Sequence, residues 1–299
     1  MIEKQLSNWG RWGADDQQGT LNYITPAILK QAMGLVKNGR VYSLASVLGG
    51  HGAYFAGSLR KEPWRFTAID KRPTPSQMSL AEDMLTISSH SGTHIDALCH
   101  VWYDHQLYTG FSADEVDGIG ANKNSIENLK SLVGRGIMLD VAGNKGVKHL
   151  DRGYAITARD LEDCLIAQGL QTEPGDILLV RTGWIQVFYQ EGPEAFHHEP
   201  STGVPSEPGL SYHLAEWLHQ KQTCAVGLDN WACEVRPSEL PDYPLPFHEL
   251  FIRDLGGYIM ETLDLEELAR DKVYEFLFMA APLQISRGCG SPINPLAIV

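Results

Sequence analysis

The sequence predicts a mixed α/β fold in one domain, and three observations carry this. Short apolar runs of strand length are interleaved with stretches of helical period. Their order is not a strict strand–helix–strand rhythm, which argues against a doubly wound parallel sheet. No repeat, low-complexity linker or break in composition divides the 299 residues, so a single domain over residues 1–299 is expected.

The elements follow in chain order. Leu21 to Gly39 reads as a first helix, with Thr25 as N-cap, Pro26 at the first helical position and Gly39 as the stop. Ala27, Ile28, Ala32, Leu35 and Val36 supply its apolar face. Val41 to Leu48 reads as a strand. Gly49 to Pro75 is rich in Gly, Pro and aromatic residues and has no clean period, so it reads as a long loop. Loops of that length inside a domain tend to be functional. This one is placed as a wall or lid of a pocket, with Phe55, Trp64 and Phe66 as its lining.

Met78 to Ser89 reads as a strand ending at His90, and a helix is expected from near Ile95. Thr157 to Gly169 is a helix with a capping pattern from Thr157 and Asp160 and a glycine stop. Asp176 to Thr182 and Cys224 to Leu228 are buried strands. Between them Leu210 to Gln222 is a helix with Leu214, Trp217 and Leu218 on one face. An acidic helix covers Leu263 to Asp271. Phe276 to Ile285 is a last apolar strand, broken by Pro282.

Lys and Arg number 24 against 37 Asp and Glu, a net charge of −13. That argues against nucleic acid or an anionic membrane as partner. No apolar run approaches the roughly 20 residues of a transmembrane helix. The N-terminal Met1-Ile2-Glu3-Lys4-Gln5 has no apolar stretch of signal-peptide type. The expected location is the cytoplasm. The cysteines Cys99, Cys164, Cys224, Cys233 and Cys289 are odd in number and form no Cys-x-x-Cys, so no disulfide framework is expected. Cys99 reads as a packing residue. Gly118-Ile119-Gly120 lacks the apolar strand and third glycine of a dinucleotide loop, and neither a phosphate-binding loop nor a Gly-x-Ser-x-Gly elbow is found. His197-His198, flanked by Glu194, Glu199 and Pro200, reads as solvated surface.

The run from His90 to His100 has a different character. His90-Ser91-Gly92-Thr93-His94-Ile95-Asp96-Ala97-Leu98-Cys99-His100 packs three imidazoles and a carboxylate into eleven residues. These are the usual protein ligands of Zn²⁺ and related ions. Ser-Gly-Thr between His90 and His94 favours a turn over a helix. His94 and Asp96, two apart, would share one face of an extended segment. A helix starting near Ile95 would then align Asp96 with His100. His90, His94 and Asp96 are the candidate metal ligands. His100, one turn further on, is the candidate general base and acid, a task suited to imidazole near neutral pH.

His90-x-Gly92-Thr93-His94-x-Asp96-x-x-x-His100 resembles the motif of the cyclase-like metal-dependent hydrolases, which include bacterial kynurenine formamidase and isatin hydrolase. Asn8-Trp9-Gly10-Arg11-Trp12-Gly13, with Asp16 and Leu21-Asn22, is similar to the opening of a long-chain subgroup. Gly290-Ser291-Pro292-Ile293-Asn294-Pro295 is similar to its closing turn. The chain departs from the pattern at Leu98, where the family usually has proline; the change should loosen the turn and remove no ligand. The resemblance implies a swivelling β/β/α fold and a distal pair, His248 and Glu261, that completes the metal site or holds a second ion. Glu261 lies in the mostly apolar Gly257 to Leu263 stretch, where a carboxylate must be exposed, paired or metal-bound. Glu249, also near a histidine, is expected to face outward.

The resulting expectation is a hydrolase cleaving an amide or lactam of a small cyclic or aromatic molecule, with Zn²⁺ or Mn²⁺ as cofactor. Trp9, Trp12 and Tyr103 are candidates for the substrate-binding wall, with a core role as the alternative. A homodimer or homotetramer is expected. A metal-dependent isomerase or cyclase, and a non-catalytic metal-binding protein, remain open as alternatives.

Overall fold

The computed structural model describes residues 6–49, Ala53, Arg60 and 62–299. It is a single α/β domain built on a nine-stranded mixed sheet. In chain order the strands used below are β1 (Val41–Ser43), β2 (Trp64–Lys71), β3 (Ser79–Thr86), β4 (His94–Asp96), β5 (Leu132–Asp140), β6 (Ile177–Arg181), β7 (Ala225–Leu228), β8 (Tyr258–Glu261), β9 (Glu275–Ala280), β10 (Gly290–Pro292) and β11 (Leu296–Ile298). The large sheet runs β1-β11-β9-β5-β6-β7-β8-β4-β10. Its centre, β5 to β8, is parallel. Both flanks are antiparallel. This agrees with the mixed fold and the swivelling β/β/α type expected from the sequence.

The central strands are where the sequence reads most clearly. β6 and β7 are buried along their whole length, and a strand covered on both faces needs a continuous apolar run. Gly136 in β5 has a packing reason: a Cβ there would lie 2.3 Å from the Phe276 ring on β9. The helix Ala158–Gln168 has the full capping box between Thr157 and Asp160 and ends at left-handed Gly169. The acidic helix occupies Glu266–Asp271.

Several elements are shorter than expected. The first helix is Pro26–Met33, capped by Thr25 and ended at Gly34, and residues Gly19–Tyr23 form a separate 3₁₀ turn. β1 stops at Ser43: Leu44 N still donates to Pro295 O at 2.8 Å, but the Leu44 carbonyl accepts from Asp264 N at 2.9 Å. The helix expected from Leu210 starts at Leu214, because Gly209–Leu210 pairs in parallel with Ala155–Ile156. β9 ends before Pro282, as a ladder donor is then missing.

Two expectations are corrected. The stretch expected as a loop from Gly49 to Pro75 contains β2, which pairs with β3 over its eight residues as a two-stranded hairpin. Every residue of β2 is exposed, so no one-sided apolar alternation marked it. Trp64 and Phe66 are 56% and 50% exposed; Phe55 lies outside the described residues. No helix starts near Ile95: the chain is the short strand β4, followed by a turn in which His100 N donates to Ala97 O at 3.0 Å.

Candidate metal centre

The turn before β4 forms where the sequence placed it. Gly92 takes φ +65°, and a Cβ there would meet Leu48 Cδ2 at 2.8 Å. Thr93 pins the turn: its hydroxyl donates to Thr262 O at 2.6 Å and accepts from Ser46 N at 2.9 Å. β4 then carries His94 and Asp96 on one face, while Ile95 points the other way into the core with no exposure. The turn after β4 closes with Leu98 buried in it, in the place where proline was expected.

The sheet supplies the distal residues. Glu261 on β8 stands directly opposite His94 on β4, and such cross-strand neighbours share a face. His248 ends the short helical turn Pro246–His248, which runs into a π-helical stretch over Glu249–Asp254. Glu249 is half-buried there, and Glu261 is the carboxylate against His248, with Oε1 3.2 Å from Nε2.

Six side chains therefore converge. His90 Nε2, His94 Nε2 and His100 Nε2 lie 3.3, 3.7 and 3.9 Å from Asp96 Oδ1. His248 Nε2 lies 3.9 Å from Asp96 Oδ2, and His94 Nε2 lies 3.2 Å from Glu261 Oε2. His90 and His100 stack with centroids 4.1 Å apart. Among the described residues two groups are compact enough to hold a cation, His90/Asp96/His100 and Asp96/His248/Glu261, each with ligand atoms within 4.8 Å of one another. Asp96 belongs to both. The Cβ-free Gly290 makes room: a Cβ there would lie 2.5 Å from His90 Nε2.

The buried atoms fit a divalent ion. Nε2 of His90 and His94 and both carboxylate oxygens of Asp96 are buried with no hydrogen-bond partner among the described residues. Native interiors seldom leave such atoms unsatisfied, and a hard or borderline cation would satisfy all four. The outer imidazole nitrogens are already engaged. His94 Nδ1 is 2.8 Å from Gly92 O, His90 Nδ1 is 3.0 Å from Ser89 Oγ and His248 Nδ1 is 2.6 Å from Glu234 Oε1. Because a carbonyl only accepts, the Gly92 contact puts the His94 proton on Nδ1 and turns the Nε2 lone pair into the centre.

The electrostatics are uneven. Burial holds His90 well below the ordinary imidazole range, with the His100 and His94 rings adding to it. Burial also lowers His100, partly offset by Asp96. His248 goes the other way: burial would lower it, but hydrogen bonds to Glu234 and Glu261 push it up to about 10. Glu261 is held below the usual carboxylate range: burial raises it, and the hydrogen bond from His248 together with the nearby His94 ring outweighs that. The centre has an open side. The side chains of His100 and His90 are 20% and 11% exposed, against 1–3% for His94, Asp96, His248 and Glu261.

Two of the aromatic candidates, Trp9 and Tyr103, pack against the C-terminal end of the same π-helical stretch. Arg253 lies between Trp9 and Tyr103, 4.3 and 4.0 Å from their ring centroids. Trp9 Nε1 donates to Arg253 O, and the Tyr103 hydroxyl donates to Asp254 Oδ2 at 2.7 Å. Trp12 packs edge-on against Tyr23. His197, expected at the surface, is buried at 1% and packs against Phe196 and Trp231. The flanking acids and proline suggested solvent, but the helix Pro193–His197 turns this ring inward. Cys99 is fully buried, as a packing residue should be.

Sequence reasoning missed two residues at the centre. Arg60 reaches it, with NH1 4.0 Å from Glu261 Oε2. Glu234 sits behind His248. Its signal was present: it is a lone carboxylate in Trp231-Ala232-Cys233-Glu234-Val235, the same kind of apolar setting that singled out Glu261.

The comparisons with known proteins agree with this geometry. Residues 24–235 match the model of the family described as putative cyclase. The chain is similar to isatin hydrolase from Roseibium aggregatum, 27% identical over 219 residues, covering 73% of this chain and 75% of the relative. A crystal structure described as a novel cyclase superposes with a TM-score of 0.88 at 36% identity, covering 99% of this chain and 98% of the other. Isatin hydrolase A from Labrenzia aggregata, bound to benzyl benzoate, superposes with a TM-score of 0.66 at 19% identity over 90% of this chain and 95% of that one. This last likeness bears on the fold.

Proposed function

The chain belongs to the putative cyclase family, and we propose that it is a metal-dependent hydrolase that opens an amide or lactam C–N bond in a small cyclic or aromatic molecule. The observation that supports this most is the set of buried, unsatisfied atoms on His90, His94 and Asp96, facing the His248–Glu261 pair. In this reading His90, His94 and Asp96 hold a divalent ion, Zn²⁺ or Mn²⁺. His248 and Glu261 complete its shell or, with Asp96 as the bridge, hold a second ion. A bound ion would supply a water of lowered pKa and polarise the substrate carbonyl.

The chain's own residues do the rest. His100 is the general base and acid. It has the most exposed ring of the cluster, so it faces the side from which substrate arrives. Its lowered pKa keeps Nε2 free to accept a proton near neutral pH. It takes a proton from the attacking water and returns it to the leaving nitrogen. His90, stacked on it at 4.1 Å, fixes the plane of its ring. Trp9, Trp12 and Tyr103 form the substrate-binding wall. The working unit is a homodimer or homotetramer, and a monomer by light scattering at micromolar concentration would refute that part.

The test is metal analysis of the purified protein, followed by turnover of isatin and of aryl formamides with Zn²⁺ or Mn²⁺. Isatin is included because a relative is named for hydrolysing it. Bound metal, with isatin gaining one water in a single product or an aryl formamide giving its amine and formate, supports hydrolysis. Turnover with no change in mass would make the protein an isomerase or cyclase instead.

A further inference from the structure

We infer that Glu234 is a positioning residue of the centre: its carboxylate holds the proton of His248 on Nδ1 and so presents Nε2 to a divalent ion. The inference rests on the metal reading proposed above. Glu234 is 2% exposed. Its Oε1 accepts from His248 Nδ1 at 2.6 Å and from His248 N at 3.1 Å, and its Oε2 accepts from Phe247 N at 3.1 Å. Three donors meet one buried carboxylate, so its oxygens are the acceptors and Nδ1 the donor. The other ring nitrogen faces acceptors alone, Glu261 Oε1 at 3.2 Å and Asp96 Oδ2 at 3.9 Å. Once an ion takes Nε2, the Glu234 contact remains, and a carboxylate behind a ligating imidazole fixes its tautomer and raises its basicity.

The backbone that carries the carboxylate is held in place by bonds that do not involve His248. Glu234 lies on a strap braced by a second buried acid. Glu207, with no exposure, accepts from Trp231 N at 2.9 Å and Ala232 N at 2.8 Å. Asn230 accepts from Cys233 N at 3.1 Å and donates to Pro208 O at 2.7 Å. Leu210 N donates to Cys233 O at 2.9 Å, and Val235 N donates to Leu210 O at 3.1 Å. The strap presses on Gly209, where a Cβ would come within 2.4 Å of the Glu234 carbonyl carbon. A carboxylate set in advance at this point loses little freedom in orienting the ring.

The experiment is Zn²⁺ affinity by chelator competition on the full chain, for wild type, Glu234→Gln, His248→Ala and the double variant. Glu234→Gln should weaken Zn²⁺ binding by about 10- to 100-fold with an unchanged circular dichroism spectrum. In the His248→Ala background the same change should cost no further affinity, which a residue that merely holds the strap would not show. Unchanged affinity in Glu234→Gln overturns the positioning role while leaving the hydrolase reading intact. A wild type that binds no Zn²⁺ overturns both. Should Glu234→Gln fail to fold, the ¹H–¹⁵N imidazole spectrum of Zn²⁺-loaded wild type decides. A His248 resonance with the proton on Nδ1, identified by its loss in His248→Ala, supports the inference, and a proton on Nε2 overturns it.

Discussion

The two halves of the centre are assembled by different means. His90, His94, Asp96 and His100 come from eleven consecutive residues, and turns gather them: left-handed Gly92 before β4, and the Ala97–His100 turn after it. His248 and Glu261 are gathered by tertiary structure. β8 puts Glu261 opposite His94, and the turn over Pro246–His248 brings the second ring against it. In the first half His90 and His100 form the open side, and these two rings are pushed toward neutrality. The second is sealed, and without an ion it holds its imidazole charged between two carboxylates. The contrast separates two tasks. In the proposed reading the open half would meet the substrate and exchange protons, and the sealed half would anchor the charge.

The largest expected effect tests whether the halves are one centre. Chelation should abolish activity, and Mn²⁺ or Zn²⁺ should restore it. The melting temperature should fall as well, since an ion held at 100 times its Kd stabilises the native state by about 2.7 kcal/mol. His94 is the residue that touches both halves, 3.7 Å from Asp96 and 3.2 Å from Glu261. His94→Ala should therefore lose metal and rate together. Full activity in chelated protein would end the mechanism as proposed.

The next effect separates ligation from proton transfer. His100→Ala should lower the rate by about 10²- to 10⁴-fold, the usual worth of a positioned acid–base group, and leave metal content near wild type. The structure sharpens this test, because His100 Nε2 is 3.9 Å from Asp96 Oδ1 and belongs to one of the two compact groups. Loss of metal in His100→Ala would make it a ligand, and the base would have to be sought elsewhere.

A smaller effect concerns the pH dependence of the chelated protein, where the halves should respond with opposite sign. His90 and His100 have lowered pKa values in the fold. As pH falls through about 6.5, the unfolded chain takes up protons that the native state refuses, so these two rings make the protein less stable in acid. His248 is raised to about 10. Its contribution is complete below about 6.5 and is lost as pH rises toward 10. His100→Ala should flatten the acid limb of a melting-temperature profile, and His248→Asn the alkaline limb. The same limb moving in both variants would show that the halves titrate as one unit.

Legibility in the sequence follows the same division. The Gly92 turn and the shared face of His94 and Asp96 depend on residues adjacent in the chain, and local chemistry announced them. The buried strands β6 and β7 were legible because burial on both faces demands an unbroken apolar run. The route by which His100 reaches Asp96 was not, because four-residue spacing suits both a helix and a tight turn. Glu234 escaped because its partners, His248 and Phe247, are brought to it by the fold and no spacing records them. The β2–β3 hairpin escaped for another reason. With both faces in solvent, nothing forces its side chains to alternate.

The smallest effect is expected outside both halves, in the helix Ala158–Gln168, where sequence and structure agree most closely. Thr157 Oγ1 accepts from Asp160 N at 3.4 Å, and Asp160 Oδ2 accepts from Thr157 N at 2.8 Å. Asp160 is also tied to Lys145 Nζ at 2.6 Å and to the Tyr154 hydroxyl at 2.9 Å. Thr157→Ala removes both bonds of the hydroxyl, the one it accepts from Asp160 N and the one it donates to Asp160 Oδ2 at 2.8 Å, and leaves the other three contacts of the Asp160 carboxylate in place. The cost should be about 1 kcal/mol of stability by denaturant unfolding, with Zn²⁺ affinity and rate unchanged. The helix packs on β5, whereas the centre lies on β4 and β8 at the other side of the parallel core. A cap lost at one side should therefore not be felt at the other. If Thr157→Ala weakened Zn²⁺ binding as much as Glu234→Gln, the effect of Glu234 would be one of general stability, and the division between anchoring and reacting halves would fail with it.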